Sequence, residues 1–134
     1  MNAQEKVIIV TGSNAGIGKA TALRLAQLGA TVVMVVRNLA AGAVVQQAII
    51  AQTGNTAVDL LPCDLSSQAS IRSFAAEFTR KYARLDGLIN NAANFDHRLK
   101  RAAFTTDGVE VVFATNHLGP FLLTHLLLSL ILQS

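Results

Sequence analysis

Apolar residues come in short blocks along this chain, and the blocks alternate between two periods. Val7-Ile8-Ile9-Val10 is a continuous apolar run with glycines close behind, the pattern of a strand buried on both faces. Over residues 16–28 the period becomes helical, with Ile17, Thr21, Leu25 and Leu28 sharing a face and Gly29 as the stop. A β-branched run at residues 31–36 predicts a second strand. Helix formers without a single charge follow over residues 39–52, closed by Gly54. Residues 56–61 predict a third strand ending at Pro62. Ser66 or Ser67 then caps a helix whose Ile71, Phe74, Ala75, Phe78 and Tyr82 fall at helical spacing.

A fourth strand is predicted at residues 85–91, and the mixed polarity of residues 92–105 reads as a loop. Thr106 can cap the last helix, with Asp107 and Glu110 in its first turn, where the macrodipole favours negative charge. On that helix Val109, Val112, Phe113 and Asn116 share a face, which points an amide inward among apolar neighbours. Strand and helix thus alternate four times, the order of a parallel sheet with helices on both faces. The chain shows no repeat, low-complexity tract or linker, so residues 1–134 are expected to form one domain.

Composition narrows the picture. Of 134 residues 51% are hydrophobic and 14% charged, against about 25% charged in an average soluble domain, which excludes disorder. One cysteine, Cys63, excludes a disulfide framework and suits a reducing, cytoplasmic setting. The net charge of +3 is mild and its basic residues are scattered, apart from Arg80, Lys81, Arg84 and Arg98, Lys100, Arg101. Nucleic acid is therefore not an expected partner. His97, His117 and His125 lack metal-ligand spacing, and no signal peptide is expected at the start. After Glu110 no charged residue occurs through Ser134. Such a stretch is long enough to be a membrane-span candidate. Asn116, His117, Pro120, Thr124 and His125 make lipid contact costly, and the pattern favours a buried or interface helix.

The strongest chemical signal is Thr11-Gly12-Ser13-Asn14-Ala15-Gly16-Ile17-Gly18, between the first strand and first helix. A helix N-terminus offers unpaired N–H groups and partial positive charge to a phosphate, and glycines let the phosphate come close. At the end of the second strand stands Arg37, followed by Asn38, and no Asp or Glu occurs from Thr31 through Val58. NAD sites usually place a carboxylate there for the ribose 2′-OH, whereas an Arg accommodates the 2′-phosphate of NADP. NADP is therefore the expected cofactor over NAD, the bland reading being a solvated Arg after a buried strand. Asp64 lies where ligands of parallel sheets bind, at the end of the third strand; it can equally cap the next helix. Asn90 and Asn91 end the fourth strand, and such amides need partners. They either brace the glycine turn or line the crevice.

Together Thr11-Gly12-x-x-x-Gly16-Ile17-Gly18, Asp64-Leu65, Asn90-Asn91-Ala92-Ala93 and Asn116-His117-Leu118-Gly119 resemble the short-chain dehydrogenase/reductase family, from about Lys6 to the last residue. Val35-Val36-Arg37-Asn38 and the stretch from Thr105 through Leu122 look most like its retinol dehydrogenase and WW-domain oxidoreductase branch. The resemblance implies an α/β, Rossmann-type doubly wound parallel sheet, here only its N-terminal four βα units. It implies that Gly12, Ser13, Asn14, Gly16, Ile17 and Gly18 approach the cofactor phosphates. Arg37 with Asn38 would take the 2′-phosphate, and Asp64 with Leu65 the adenine. Asn91, Ala92 and Ala93 would border the nicotinamide ribose, Ala93 standing where the family usually has Gly. Asn116 matches the Asn of the family's catalytic Asn-Ser-Tyr-Lys set, in which its carbonyl serves a proton relay; a satisfied core Asn is the plain alternative. Pro120 lacks the N–H that would pair with that carbonyl.

The family's Tyr acts as acid/base beside a Lys four residues on. The sole tyrosine here is Tyr82, with Asp86 four residues later, and its place on an apolar helical face reads as packing. Two readings follow. One is the NADP(H)-binding portion of an oxidoreductase for lipophilic carbonyl or alcohol substrates, inactive alone. The other is a non-catalytic dinucleotide-binding or interaction module. In both, the uncharged last helix is expected to mediate self-association.

Overall fold

A computed structural model describes residues 3–96, 98 and 100–134; His97 lies outside the described residues. Four strands, β1 (Val7–Thr11), β2 (Thr31–Val36), β3 (Val58–Pro62) and β4 (Gly87–Ile89), form one parallel sheet in the order β3-β2-β1-β4. Pairing starts at Val7 with Thr31, Val32 with Val58 and Ile8 with Gly87. Helices α1 (Gly16–Gln27), α2 (Leu39–Thr53) and α3 (Gln68–Lys81) follow the first three strands. Beyond β4, α4 (Val111–Phe113), a π-helical turn (Ala114–Leu118) and α5 (Gly119–Gln133) run on as one helix.

The continuous apolar strands work because side chains alternate across the sheet. Val32 and Met34 of β2 pack with Ala22 and Ala26 of α1 and Val45 and Ile49 of α2. Val33 and Val35 point the other way, to Phe74 and Phe78 of α3 and Leu123 and Leu127 of α5. Each face of the sheet thus has its own core, as expected of a doubly wound fold.

Four expectations are corrected. The face of α1 that meets the sheet is Gly18, Ala22 and Ala26, while Ile17 is 80% exposed. Small residues win because they let the helix axis approach the strands, which the apolar spacing alone does not register. Strand β4 covers only Gly87–Ile89, since its single partner among the described strands is β1. The last helix starts at Val111, not after Thr106: residues 104–110 close a turn at Gly108 (φ 75°) with a bridge between Phe104 and Glu110. Glu110 is the cap, its carboxylate accepting from the Val112 and Phe113 N–H groups at 3.0 and 2.8 Å. Finally, Phe113 and Asn116 share a face as expected, but that face is exposed; the buried positions are Ala114 and, five residues on across the π turn, Gly119, then Leu123 and Leu127. Ser67 is the cap of α3, accepting from Ser70 N–H.

Candidate cofactor site

Parallel strands deliver all their C-terminal ends to one edge of the sheet, and that edge opens into a cleft of about 520 Å³, within the size range of small-molecule sites. Gly12 and Asn14 from the turn after β1 line it, with Arg37 after β2, Asp64 and Leu65 after β3, and Ala92 and Ala93 after β4.

The glycine turn is held from behind by the end of β4. The Thr11 hydroxyl accepts from the N–H groups of Asn91 and Ala92, both at 3.0 Å, and donates to the Ile89 carbonyl. The Asn91 amide donates to the Thr11 and Gly12 carbonyls at 2.9 and 3.2 Å. Of the two uses foreseen for that amide, the structure shows bracing. Gly12 (φ 63°) lies so close to Ala92 that a Cβ would sit 2.8 Å from its Cα. Gly18 is buried, and a Cβ there would overlap the Gly12 carbonyl and the Asn91 amide. Its bare α-carbon serves the packing of α1 on the turn rather than the cleft. Ser13 is likewise fully buried and outside the cleft lining, its hydroxyl without a hydrogen-bond partner among the described residues.

The donor set at the start of α1 fits a phosphate. Ala15 caps the helix without a side-chain hydrogen bond, and the first turn has no acidic residue. Its leading N–H groups therefore lack a side-chain acceptor. A Cβ at Gly16 would meet nothing within 4 Å, so the approach is open. Arg37 is exposed on the rim, with no ion pair or hydrogen bond to another described residue. Asn38 turns away from the rim to cap α2, accepting from Ala41 N–H at 3.0 Å.

Asp64 lines the cleft, and the cap foreseen as its other role belongs to Ser67. Its Oδ1 accepts from the Ser66 N–H and hydroxyl at 2.9 and 2.7 Å. Cys63 beside it is buried, which pushes its thiol up to about 11 and keeps it protonated. On the far wall the exposed Asn116 grips the backbone of Asn94, accepting from its N–H at 2.6 Å and donating to its carbonyl at 2.8 Å. The inward-pointing amide of the sequence pattern is thus corrected to a surface clamp. Tyr82 is remote from the cleft: its ring stacks on Phe78 at 4.7 Å and its hydroxyl donates to Asp59, near the opposite end of β3. His117 stacks on Phe113 at 5.1 Å.

Sequence reasoning missed Val35, Cys63, Asn94, Phe95, Val111 and Thr115, which also line the cleft. The strand-end rule reaches the first two. The last two arrive from far along the chain, and no local signal points to them.

A doubly wound parallel sheet whose strand ends gather a glycine turn, a cation and a carboxylate is the Rossmann-type arrangement. The chain belongs to the short-chain dehydrogenase family, whose model matches residues 6–134. Human retinol dehydrogenase 11 is 45% identical over 129 residues, covering 96% of this chain and 40% of that protein. Human dehydrogenase/reductase SDR family member 13 is 41% identical over 127 residues, covering 95% of this chain and 32% of its own length. Among solved structures, a short-chain dehydrogenase from Shigella flexneri 2a, complexed with NADP, superposes with a TM-score of 0.84 at 29% identity, covering 98% of this chain and 56% of that one. The chain matches the retinol dehydrogenase branch and spans well under half the length of these curated relatives.

Proposed function

We propose that this chain is the NADP(H)-binding portion of a short-chain oxidoreductase acting on a lipophilic carbonyl or alcohol, with residues 1–134 as one dinucleotide-binding domain. The observation that carries the cofactor choice is Arg37, a guanidinium on the cleft rim with no partner among the described residues and no Asp or Glu from Thr31 through Val58. The NADP complex of the Shigella flexneri relative supports it. In this reading the N–H groups after Gly12 and around Gly16 and Ile17 take the pyrophosphate, with Asn14 beside them and Ser13 and Gly18 shaping the turn. Arg37, flanked by Asn38, takes the 2′-phosphate, and Asp64 and Leu65 the adenine end. Asn91, Ala92 and Ala93 border the ribose next to the nicotinamide, which when bound gives or takes a hydride. Asn116 acts as a positioning residue through Asn94, beside the relay role implied by the family.

The only tyrosine is tied to Asp59, away from the cleft. That favours binding without turnover by this chain alone, and it keeps a non-catalytic binding module as the second reading. The free thiol of Cys63 supports a cytoplasmic setting. Calorimetric titration tests the proposal: NADP+ is expected to bind at least about tenfold tighter than NAD+, and Arg37→Gln to erase the difference. Equal affinities in the unmodified chain would sink the cofactor choice. Turnover of a carbonyl substrate with NADPH would sink the inactivity.

A further inference from the structure

We propose that Gly119 is a positioning residue for the adenine end of the cleft, fixing where the Asp64-Leu65 turn sits. The inference rests on the dinucleotide reading above and adds to it what holds that subsite in shape. Asp64 and Leu65 line the cleft, but Leu65 also forms the wall of a second, smaller cavity of about 160 Å³ behind the turn. The turn is thus a partition with space on both sides, anchored at one point by the Leu65 side chain, which is buried in the core.

Beyond that side chain and the turn's own hydrogen bonds to Ser66 and Ser67, three contacts from residues further along the chain hold it. The Asp64 N–H donates to the Ser70 hydroxyl at 2.9 Å, and the Asp107 carboxylate, reaching across from the turn before α4, accepts from the Gln68 N–H at 3.0 Å. The third is Gly119. A Cβ there would overlap the Leu65 carbonyl oxygen and lie 3.0 Å from the Ala114 carbonyl oxygen. Both obstacles are backbone, so neither can yield by rotating a side chain. The last helix therefore rests its bare α-carbon directly on the Leu65 carbonyl.

Three residues earlier the same helix carries Asn116, which grips Asn94. Asn94 follows β4 and Asp64 follows β3, the two outermost strands of the sheet, so they stand on opposite walls of the cleft. One helix touches both walls, and the contact at Gly119 sets their spacing. A methyl group there displaces the Asp64-Leu65 turn or tilts the helix that holds Asn94; either change misfits the adenosine half of the ligand.

The experiment is calorimetric titration of the full chain with adenosine 2′,5′-bisphosphate and with NADP+, beside thermal melts. Gly119→Ala is expected to bind both at least about tenfold more weakly while folded. Gly29→Ala controls for stability alone: it strains a left-handed backbone (φ 84°) beside Gln4, away from the cleft lining, and should melt earlier with unchanged affinity. Asp107→Ala, a milder release of the same turn, should weaken binding several-fold, and Asp107→Asn, which keeps the acceptor oxygen, should restore it. A folded Gly119→Ala variant with unchanged affinity overturns the proposal. Should that variant not fold, unchanged affinity in Asp107→Ala overturns it. Failure of the unmodified chain to bind either ligand is a different result: it overturns the cofactor reading, and this inference with it.

Discussion

Gly18 shows how much of the site rests on atoms that never face a ligand. Its neighbours are the Gly12 carbonyl and the Asn91 amide, both already committed to each other by a 3.2 Å hydrogen bond. Gly18→Ala must therefore push α1 off the turn, and overpacking of this kind costs about 1–3 kcal/mol. A lowered melting temperature together with lost nucleotide binding is the expected result; a normal melt would show that the turn has slack. Asp86 offers a second test at this scale. Its side chain is only 7% exposed and is held by Arg84, by the Val7 N–H at 2.9 Å and by Lys6 at 3.0 Å. These partners, Arg84 foremost, hold its carboxyl well below the usual carboxylate range. A depressed folded-state value means the stabilisation is present above the unfolded value of about 3.9 and is lost as pH falls toward the folded one. Urea unfolding midpoints are expected to drop below about pH 4, and Asp86→Asn to flatten that decline while lowering the midpoint at neutral pH.

Elements whose pattern comes from one physical cause were legible from the chain, and those set by two were not. Strand β2 is buried on both faces, so its run of β-branched residues marks it end to end at Thr31–Val36. Helix α2 was legible from its charge-free run and from Gly54 (φ 70°) as its stop, whereas its cap, Asn38, was read only as a neighbour of the 2′-phosphate. The face of α1 was misread because close approach selects Gly18, Ala22 and Ala26, whereas periodicity counts only the larger side chains. The last helix was misread at both its start and its phase. Thr106 and Asp107 carry capping chemistry, yet Asp107 spends its carboxylate on α3 and leaves Glu110 to cap its own helix. The π turn, closed by the Gly119 N–H on the Ala114 carbonyl, then rotates every later position. The strand-end residues of the site were readable because topology alone brings them together; the clamp of Asn116 on Asn94 depends on that unreadable phase. Glu110→Ala tests the reassigned cap. It removes both acceptors of the Val112 and Phe113 N–H groups, so amide exchange at those two residues should quicken several-fold while exchange in α3 stays unchanged. Faster exchange at Gln68 instead would return the capping role to the residues before Glu110.

For the molecule as a whole, the outstanding feature is the outer face of the last helix. Leu123 and Leu127 are fully buried against the sheet and α3, yet Phe121 is 68% and Leu132 76% exposed, with Phe113 and Leu128 also outside. The helix Val111–Gln133 has the length and composition to cross a membrane. Crossing, however, means extracting its inner face from the core, and uncovering each of the two buried leucines costs about 1.5–3 kcal/mol. Covering only the outer face leaves that core intact, and a second copy of the chain offers a matching apolar face. Self-association is therefore the expected outcome, and because its driving force is apolar it should survive raised salt, which weakens exposed charge contacts. Light scattering of the purified chain should give a mass above that of one copy at both low and high salt. Leu128→Glu combined with Leu132→Lys should return it to a single copy without loss of nucleotide binding, since neither side chain lines the cleft or the cavity behind its Asp64-Leu65 turn. A monomeric unmodified chain, or association that dissolves in salt, would assign the outer face some other role. Partition of the unmodified chain into neutral lipid vesicles, abolished by the same double substitution, would make that role contact with lipid.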